Sequence, residues 1–425
     1  MTADTIYALS SGSPPAAIAL IRISGPRADA ALERLAGKLP PPRVATLAKL
    51  SVDGETLDRA LVLHFPGPGS ATGEDVAELH LHGGRAVVAR VLEALSTVEG
   101  LRPAQSGEFT RRAFENGRID LAEAEGLADL LQAETEAQRR AALTLAGGAL
   151  SRRIRDWQDR LLALAARLEA VLDFSDEGEV GEGLPQAWQA ELETLLAEIR
   201  QALAAPAAER LRDGVRVVIA GPPNSGKSSL LNWLAGRQAA ITSAIAGTTR
   251  DLVEAPTGIG GTPFLLVDTA GLREAEDEVE RIGVGRAQES IRAADLVLWL
   301  GPPDQCPARG KSLLLQSKID IGAPDPAAEL HVSAETGEGM EALVERLIER
   351  ARDLLPREGE MALNVRHRRA ITAACCCLAD AAGADDLLLK AESLRQARTV
   401  LDRVTGRAGV DDMLDALFGR FCVGK

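Results

Sequence analysis

A chain of 425 residues with 46% hydrophobic content is long enough for several domains, each with its own core. A formal net charge of −14 excludes a broad basic surface for gripping nucleic acid, so an RNA substrate would need a local basic patch or a partner that carries the affinity. No apolar run approaches the roughly 20 residues that span a bilayer, no basic-then-apolar leader opens the chain, and the five cysteines (Cys306, Cys375, Cys376, Cys377, Cys422) have neither metal nor disulfide spacing, which predicts a cytoplasmic protein with reduced thiols.

Residues 1–116 mix short β-like runs (Ala17 to Ile23, Arg59 to Phe65, Val76 to Leu81) with a helix around Val87 to Leu95 and several Pro/Gly turns, which predicts an α+β domain. Arg22 interrupts an apolar strand there. Glu78, His80 and His82 alternate along another, either as a solvated face or, ahead of Gly83-Gly84, as two metal ligands that lack a third. From 117 to 211, Ala, Leu, Glu and Arg recur at helical spacing with breaks at Gly147-Gly148 and Asp173 to Leu184, the pattern of long antiparallel helices. An α/β segment fills 212–350, and 351–425 is helical again from Arg366 to Phe418. Both helical flanks look incomplete alone, so the simplest architecture inserts the α/β domain into a helical domain. Cys375 to Cys377 lie in the last helix, where adjacent side chains point in different directions; packing suits them better than a shared metal.

The α/β segment carries the chemistry. After the apolar run Val215 to Ala220 comes Gly221-Pro222-Pro223-Asn224-Ser225-Gly226-Lys227-Ser228, with Ser229 to Trp233 reading as the start of a helix. This is a phosphate loop: its backbone N–H groups and the helix N-terminus cradle a nucleotide triphosphate, Lys227 adds charge and Ser228 a magnesium ligand. Strand-like Pro263 to Val267 then leads into Asp268-Thr269-Ala270-Gly271, where the Asp holds magnesium and the Gly amide senses the γ-phosphate. Between them lies Gly247-Thr248-Thr249-Arg250-Asp251, with Thr249 the expected switch ligand to the metal. Ser317-Lys318-Ile319-Asp320 and Ser333-Ala334 follow further apolar runs. Asp320 is placed to accept both guanine N–H groups, Lys318 to flatten over the base and the Ala334 amide to meet the guanine oxygen, so the ligand is GTP. Ser317 stands where Asn or Thr is usual, and its short hydroxyl is expected not to span the same contacts. Leu272 stands where many GTPases keep a water-orienting Gln, so another group must do that work, with Glu274, Glu276, Asp277, Glu278 and Glu280 the nearby carboxylates.

The Asn-containing phosphate loop, Gly-Thr-Thr-Arg-Asp, Asp-Thr-Ala-Gly-Leu-Arg, Asp277-Glu278-Val279-Glu280-Arg281-Ile282-Gly283 and the terminal Phe421-Cys422-Val423-Gly424-Lys425 together resemble the MnmE (TrmE) family of tRNA-modification GTPases. Arg22-Ile23-Ser24-Gly25, Phe65-Pro66-Gly67-Pro68, Thr72-Gly73-Glu74-Asp75-Val76 and Gly107-Glu108-Phe109-Thr110 extend the resemblance over the whole chain. Departures are Val423, where Ile is usual, and Ser317. The resemblance implies a K+-activated GTPase that also uses Mg2+, in which Asn224 and loop carbonyls around Ser243, Ile245 and Thr248 hold the potassium and Glu280 orients water. It further implies that Arg22, Glu78, Arg118 and Lys425 line a site for 5-formyl- or 5,10-methylene-tetrahydrofolate, with Cys422 a redox or nucleophilic residue. A homodimer would work with a flavin- and NADH-using, MnmG-like partner to place an aminomethyl or carboxymethylaminomethyl group on the wobble uridine of certain tRNAs. The rivals are a ribosome-assembly GTPase, which would usually carry a basic appendage, and a purely regulatory switch.

Overall fold

Ile18–Ser24 and Val76–His82 alternate buried and more exposed residues, the signature of strands with one face on a core. They form the centre of the first of two units, Met1–Ala128 with Asp402–Lys425; the second is Asp129–Leu401. The structure, a computed structural model, describes residues 4–174, 184–236, 253–269, 288–357, 360–407, 411–419, 421 and 423–424.

The first unit runs β1 (Thr5–Leu9), β2 (Ile18–Ser24), α1 (Ala28–Ala36), β3 (Thr46–Val52), β4 (Glu55–Phe65), β5 (Val76–His82), α2 (Arg85–Ser96), β6 (Leu101–Pro103) and α3 (Glu108–Glu115). The sheet order is β3-β4-β5-β2-β1-β6, antiparallel except for the parallel β1–β6 pair. Leu32 and Leu35 of α1 and Val91 and Leu95 of α2 share one core with Ile21, Ile23, Leu79 and Leu81. The alternate residues Arg22, Glu78 and His80 are only partly buried, and Ile18, Leu47 and Leu61 are exposed.

The helical segment resolves into α4 (Leu121–Gln132), α5 (Glu136–Ala146), α6 (Ala149–Phe174) and α7 (Gln186–Ala204). The break before α5 was not expected from the apolar pattern. It is made by Thr135, which caps α5 in a reciprocal capping box with Gln138. Helices α6 and α7 run antiparallel: the Trp188 indole donates to the Leu164 carbonyl (2.9 Å), Arg160 pairs with Glu198 (2.9 Å) and Arg167 with Glu191 (3.3 Å).

The α/β domain follows: α8 (Glu209–Arg212), β7 (Val215–Ala220), α9 (Lys227–Gly236), β8 (Val253–Ile259), β9 (Thr262–Asp268), β10 (Leu296–Trp299), β11 (Ser312–Gln316), β12 (Leu330–His331) and α10 (Met340–Arg352). Its sheet order is β12-β11-β10-β7-β9-β8, parallel apart from the antiparallel β8–β9 hairpin. Because parallel strands are covered on both faces, β7 is apolar and buried at five of its six positions. The chain then returns to α11 (Val365–Gly383) and α12 (Leu387–Thr405), and α13 (Asp411–Phe418) precedes the tail. The entering and leaving segments lie side by side, Ala208 N–H donating to Leu363 O (3.1 Å) and Val365 N–H to the Glu209 carboxylate (2.6 Å). The α/β domain is therefore an insertion in the helical one.

Expected packing of the three neighbouring cysteines is corrected. Ile371, Ala374, Leu378 and Ala381 carry the buried stripe of α11, which leaves Cys376 exposed and Cys375 and Cys377 only partly covered.

Candidate functional site

The phosphate loop lies between the C-terminal end of β7 and the start of α9. Asn224 sits at its turn with a left-handed φ of 60° and an exposed side chain. Lys227 is 8% exposed, its ammonium donating to the carbonyls of Gly221 (3.2 Å) and Pro222 (2.7 Å), so the loop closes around the cation. Register aligns Ile219 of β7 with Asp268 of β9, which brings that buried carboxylate to the loop, and Ser228 Oγ donates to Asp268 Oδ2 at 2.7 Å. Two oxygen donors this close suit a hard divalent cation. Thr269 faces elsewhere, its hydroxyl donating to the Ile219 carbonyl at 2.9 Å.

The loop after β11 lies against the phosphate loop. Ser317 Oγ donates to the Ser225 carbonyl at 2.6 Å, so the short side chain ties the base loop to the phosphate loop. Lys318 is left-handed (φ 57°) and its ammonium donates to the Asn224 carbonyl at 2.8 Å. Ser333, 1% exposed, donates to Asp320 Oδ1 at 2.7 Å and so orients the carboxylate. A cavity of about 310 Å³ gathers Gly226, Ser229, Lys318, Asp320, Ser333 and Ala334 around one space. Ser243, Ile245, Thr248, Thr249, Ala270, Gly271, Leu272, Glu280, Cys422 and Lys425 lie outside the described residues.

On the first unit's sheet, Arg22 and Glu78 face one another across β2 and β5. Arg22 donates twice to Glu78 Oε1, at 3.0 and 2.8 Å, with Phe109 5.9 Å below its guanidinium. Arg118 is exposed and its stem lies against Gly73; among the described residues nothing ties it to the Arg22–Glu78 pair. The two histidines differ: His82 is hydrogen-bonded to Asp58 at 2.7 Å, whereas His80 lies 3.5 Å from Glu78 and its buried Nε2 has no hydrogen-bond partner among the described residues. Among the described residues no cluster of three or more such side chains could hold a metal ion.

A buried charge network went unrecognised in the sequence. Arg112 of α3, 3% exposed, donates to Asp4 (3.0 Å), Glu74 (3.2 Å) and Glu108 (3.1 Å), and Arg102 also reaches Asp4 and Glu108. Burial alone would raise the Glu108 carboxyl, but hydrogen bonds from Arg102, the Gln105 amide and Arg112 hold it below its ordinary value; for Asp4, Arg102 and Arg112 outweigh burial in the same way. The one signal available was the four-residue spacing of Glu108 and Arg112 on a short amphipathic helix.

The C-terminal tail docks on this same unit. Phe421 is 4% exposed in a cluster with Leu121, Ala124 and Phe418. Val423 forms an antiparallel bridge with Ser106, and Ser10 Oγ donates to the Gly424 carbonyl at 2.7 Å. Gly424 has φ 101°, and a Cβ there would stand 2.2 Å from the Leu9 carbonyl oxygen, so the approach requires glycine.

A strand order with one antiparallel edge hairpin, a phosphate loop on the first parallel strand and a base loop bound to it define a P-loop GTPase domain, here inserted in a helical domain. Two family profiles match the chain: "GTP-binding protein TrmE N-terminus" over residues 5–118 and "MnmE helical domain" over 121–422. The tRNA modification GTPase MnmE of Rhizorhabdus wittichii is 60% identical over 428 residues, covering 99% of this chain and 97% of that protein. Those of Erythrobacter litoralis and Zymomonas mobilis are 56% and 51% identical, each covering 99% of this chain and all of the relative. Among solved structures, the G domain of the T. maritima FeoB iron transporter aligns with 32% of this chain and 98% of that chain at 27% identity and a TM-score of 0.25. The chain belongs to the MnmE family of tRNA modification GTPases.

Proposed function

We propose that this protein hydrolyses GTP in the modification of tRNA, with Mg2+ and K+ at the nucleotide and a tetrahydrofolate one-carbon donor on the N-terminal sheet. The observation that carries the reading is the convergence of Lys227, Ser228, Asp268, Lys318 and Asp320 on one loop junction in a chain whose whole length matches the family. Ser228 and Asp268 would hold magnesium, which supplies charge neutralisation at the phosphates when bound. Asn224 would reach potassium from the loop turn, with Ser243, Ile245 and Thr248 as further ligands, Thr249 closing over magnesium and Glu280 orienting water. Lys227 binds phosphate oxygens; Asp320, oriented by Ser333, accepts the guanine N–H groups, and Lys318 flattens over the base.

On the sheet, Glu78 is the carboxylate for the pterin donors and Arg22 the cation beside it, while Arg118 and Lys425 would serve the glutamate tail. Tail docking through Val423 and Gly424 supports a role for Cys422 on the same unit. The exposed Ile18, Leu47 and Leu61 support a homodimer that buries them. A flavin- and NADH-dependent, MnmG-like protein is the expected partner, the wobble uridine of certain tRNAs the substrate and the cytoplasm the site of action. Among the described residues no helix is long and apolar enough to cross a membrane.

Nucleoside analysis of tRNA from cells lacking the protein tests the reading. Loss of a (carboxymethyl)aminomethyl wobble uridine, restored by the wild-type gene, is expected; an unchanged nucleoside profile overturns it.

A further inference from the structure

Arginine is unevenly placed in this acidic chain. Residues 136–156 carry five arginines against two carboxylates and residues 350–369 six against three, while the whole chain is at −14. The fold brings the two stretches together. Arg140 of α5, Arg352 at the end of α10 and Arg357 line one cavity of about 730 Å³, whose apolar lining includes Leu145 and Leu211. Arg153 of α6 lines an adjoining cavity of about 400 Å³ that shares Ala149, Glu360 and Met361 with the first.

Arg153 and Arg357 are exposed, and among the described residues neither has a carboxylate partner, Arg153 lying 5.9 Å over the Trp157 ring; Arg352 is exposed and helps hold the Glu349 carboxyl below its ordinary value, and Arg140 is held by Glu136. Asp353 and Glu360 also face the larger cavity, and Glu198, paired with Arg160, and Glu360 the smaller, and they offset part of the charge. The apolar part of the lining supplies no counter-charge, so the field of the guanidiniums is directed outward. Planar, permanently charged, doubly donating groups gathered on one surface suit the phosphates of a nucleic acid backbone.

We propose that this arginine-rimmed junction between α5, α6 and the end of α10 is the surface that takes the phosphodiester backbone of the RNA substrate. The proposal rests on the reading that the protein acts on tRNA and names where that contact falls. It also supplies one of the two routes that composition leaves open, a local basic patch on a chain too acidic for a broad one.

Fluorescence anisotropy with a labelled, unmodified tRNA transcript, the full chain and a series of KCl concentrations tests it. Replacing Arg153, Arg352 and Arg357 together by Gln should weaken binding about tenfold or more and reduce the slope of log affinity against log salt by about 2. GTP turnover should stay at the wild-type rate, which shows that the variant folds. A control with the same charge loss, R90Q/R346Q/R395Q, should leave affinity and slope nearly unchanged. An equal loss in the control, or a wild-type slope in the junction variant, overturns the placement while the tRNA reading stands. Failure of the wild-type chain to bind tRNA overturns the placement and leaves the affinity to the partner, the tRNA reading itself being tested by the nucleoside analysis.

Discussion

Ser317 holds the base loop to the phosphate loop through one hydroxyl, and its reach to the Ser225 carbonyl separates two roles that the base loop combines. Losing that single neutral hydrogen bond costs about 1 kcal/mol, roughly fivefold, and should loosen GDP without changing preference for the base. Asp320 is different, because only a carboxylate accepts both guanine donors; Asp320→Asn should collapse the preference for GDP over ADP in a competition titration, while Ser317→Ala leaves it largely intact. Equal loss of discrimination in both would undo the assignment. Asn224 is the second residue with a separable role: turnover should rise tenfold or more when sodium is replaced by potassium, and Asn224→Ala should erase most of that difference. Identical rates in the two salts would exclude potassium activation. These positions were legible in the sequence because each motif is short and continuous. Arg112 was not, since its partners Asp4 and Glu74 are remote in sequence and only the fold assembles them.

Helix α3 shows how such an assembly fixes an element. With eight residues it is too short to be stable alone, and its buried face holds Glu108 and Arg112 as well as Phe109 and Ala113. Replacing Arg112 with Met leaves three carboxylates with a lost partner and should cost about 3 to 5 kcal/mol, measured by denaturant unfolding. The network also sets a pH dependence. Asp4 and Glu108 have carboxyls lowered by folding, so their stabilisation is present above the ordinary carboxylate range near about 4 and is lost as pH falls through the lowered values. Glu108→Gln should therefore flatten the fall of Tm below about pH 5. The tail is held differently, by backbone approach: Gly424→Ala places a Cβ against the Leu9 carbonyl and should free the last residues, seen as faster trimming by a carboxypeptidase. Trimming at the wild-type rate would mean that docking does not depend on that contact. Strands β2, β4 and β5 and the parallel core were readable from their apolar runs, whereas β1 and β6 are short and β3 and α1 lie among Pro and Gly turns with few apolar residues in a row, so that pairing and packing decide their form. The stop between α4 and α5 leaves no mark in the apolar pattern because a threonine cap, without Gly or Pro, makes it.

At the scale of the molecule, the nucleotide and one-carbon candidates lie in different units, with the GTPase domain inserted far along the chain from Arg22 and Glu78. Chemistry divided in this way predicts that each half can be silenced without the other. Glu78→Ala removes the carboxylate partner of Arg22 and, on the proposed reading, the acceptor for pterin donors; loss of a charged hydrogen bond of about 1.5 to 3 kcal/mol weakens a ligand roughly ten- to a hundredfold. Calorimetry should show that loss for 5-formyl-tetrahydrofolate while GTP turnover holds. Cys422→Ser should spare both folate affinity and GTP turnover and abolish only the wobble modification, because a hydroxyl keeps the size of the thiol but not its nucleophilicity. Parallel loss of GTP turnover in Glu78→Ala would show that the two units work as one site. Normal wobble modification in cells carrying only Cys422→Ser would remove the thiol from the chemistry and leave the tail the anchoring contacts that Phe421, Val423 and Gly424 make.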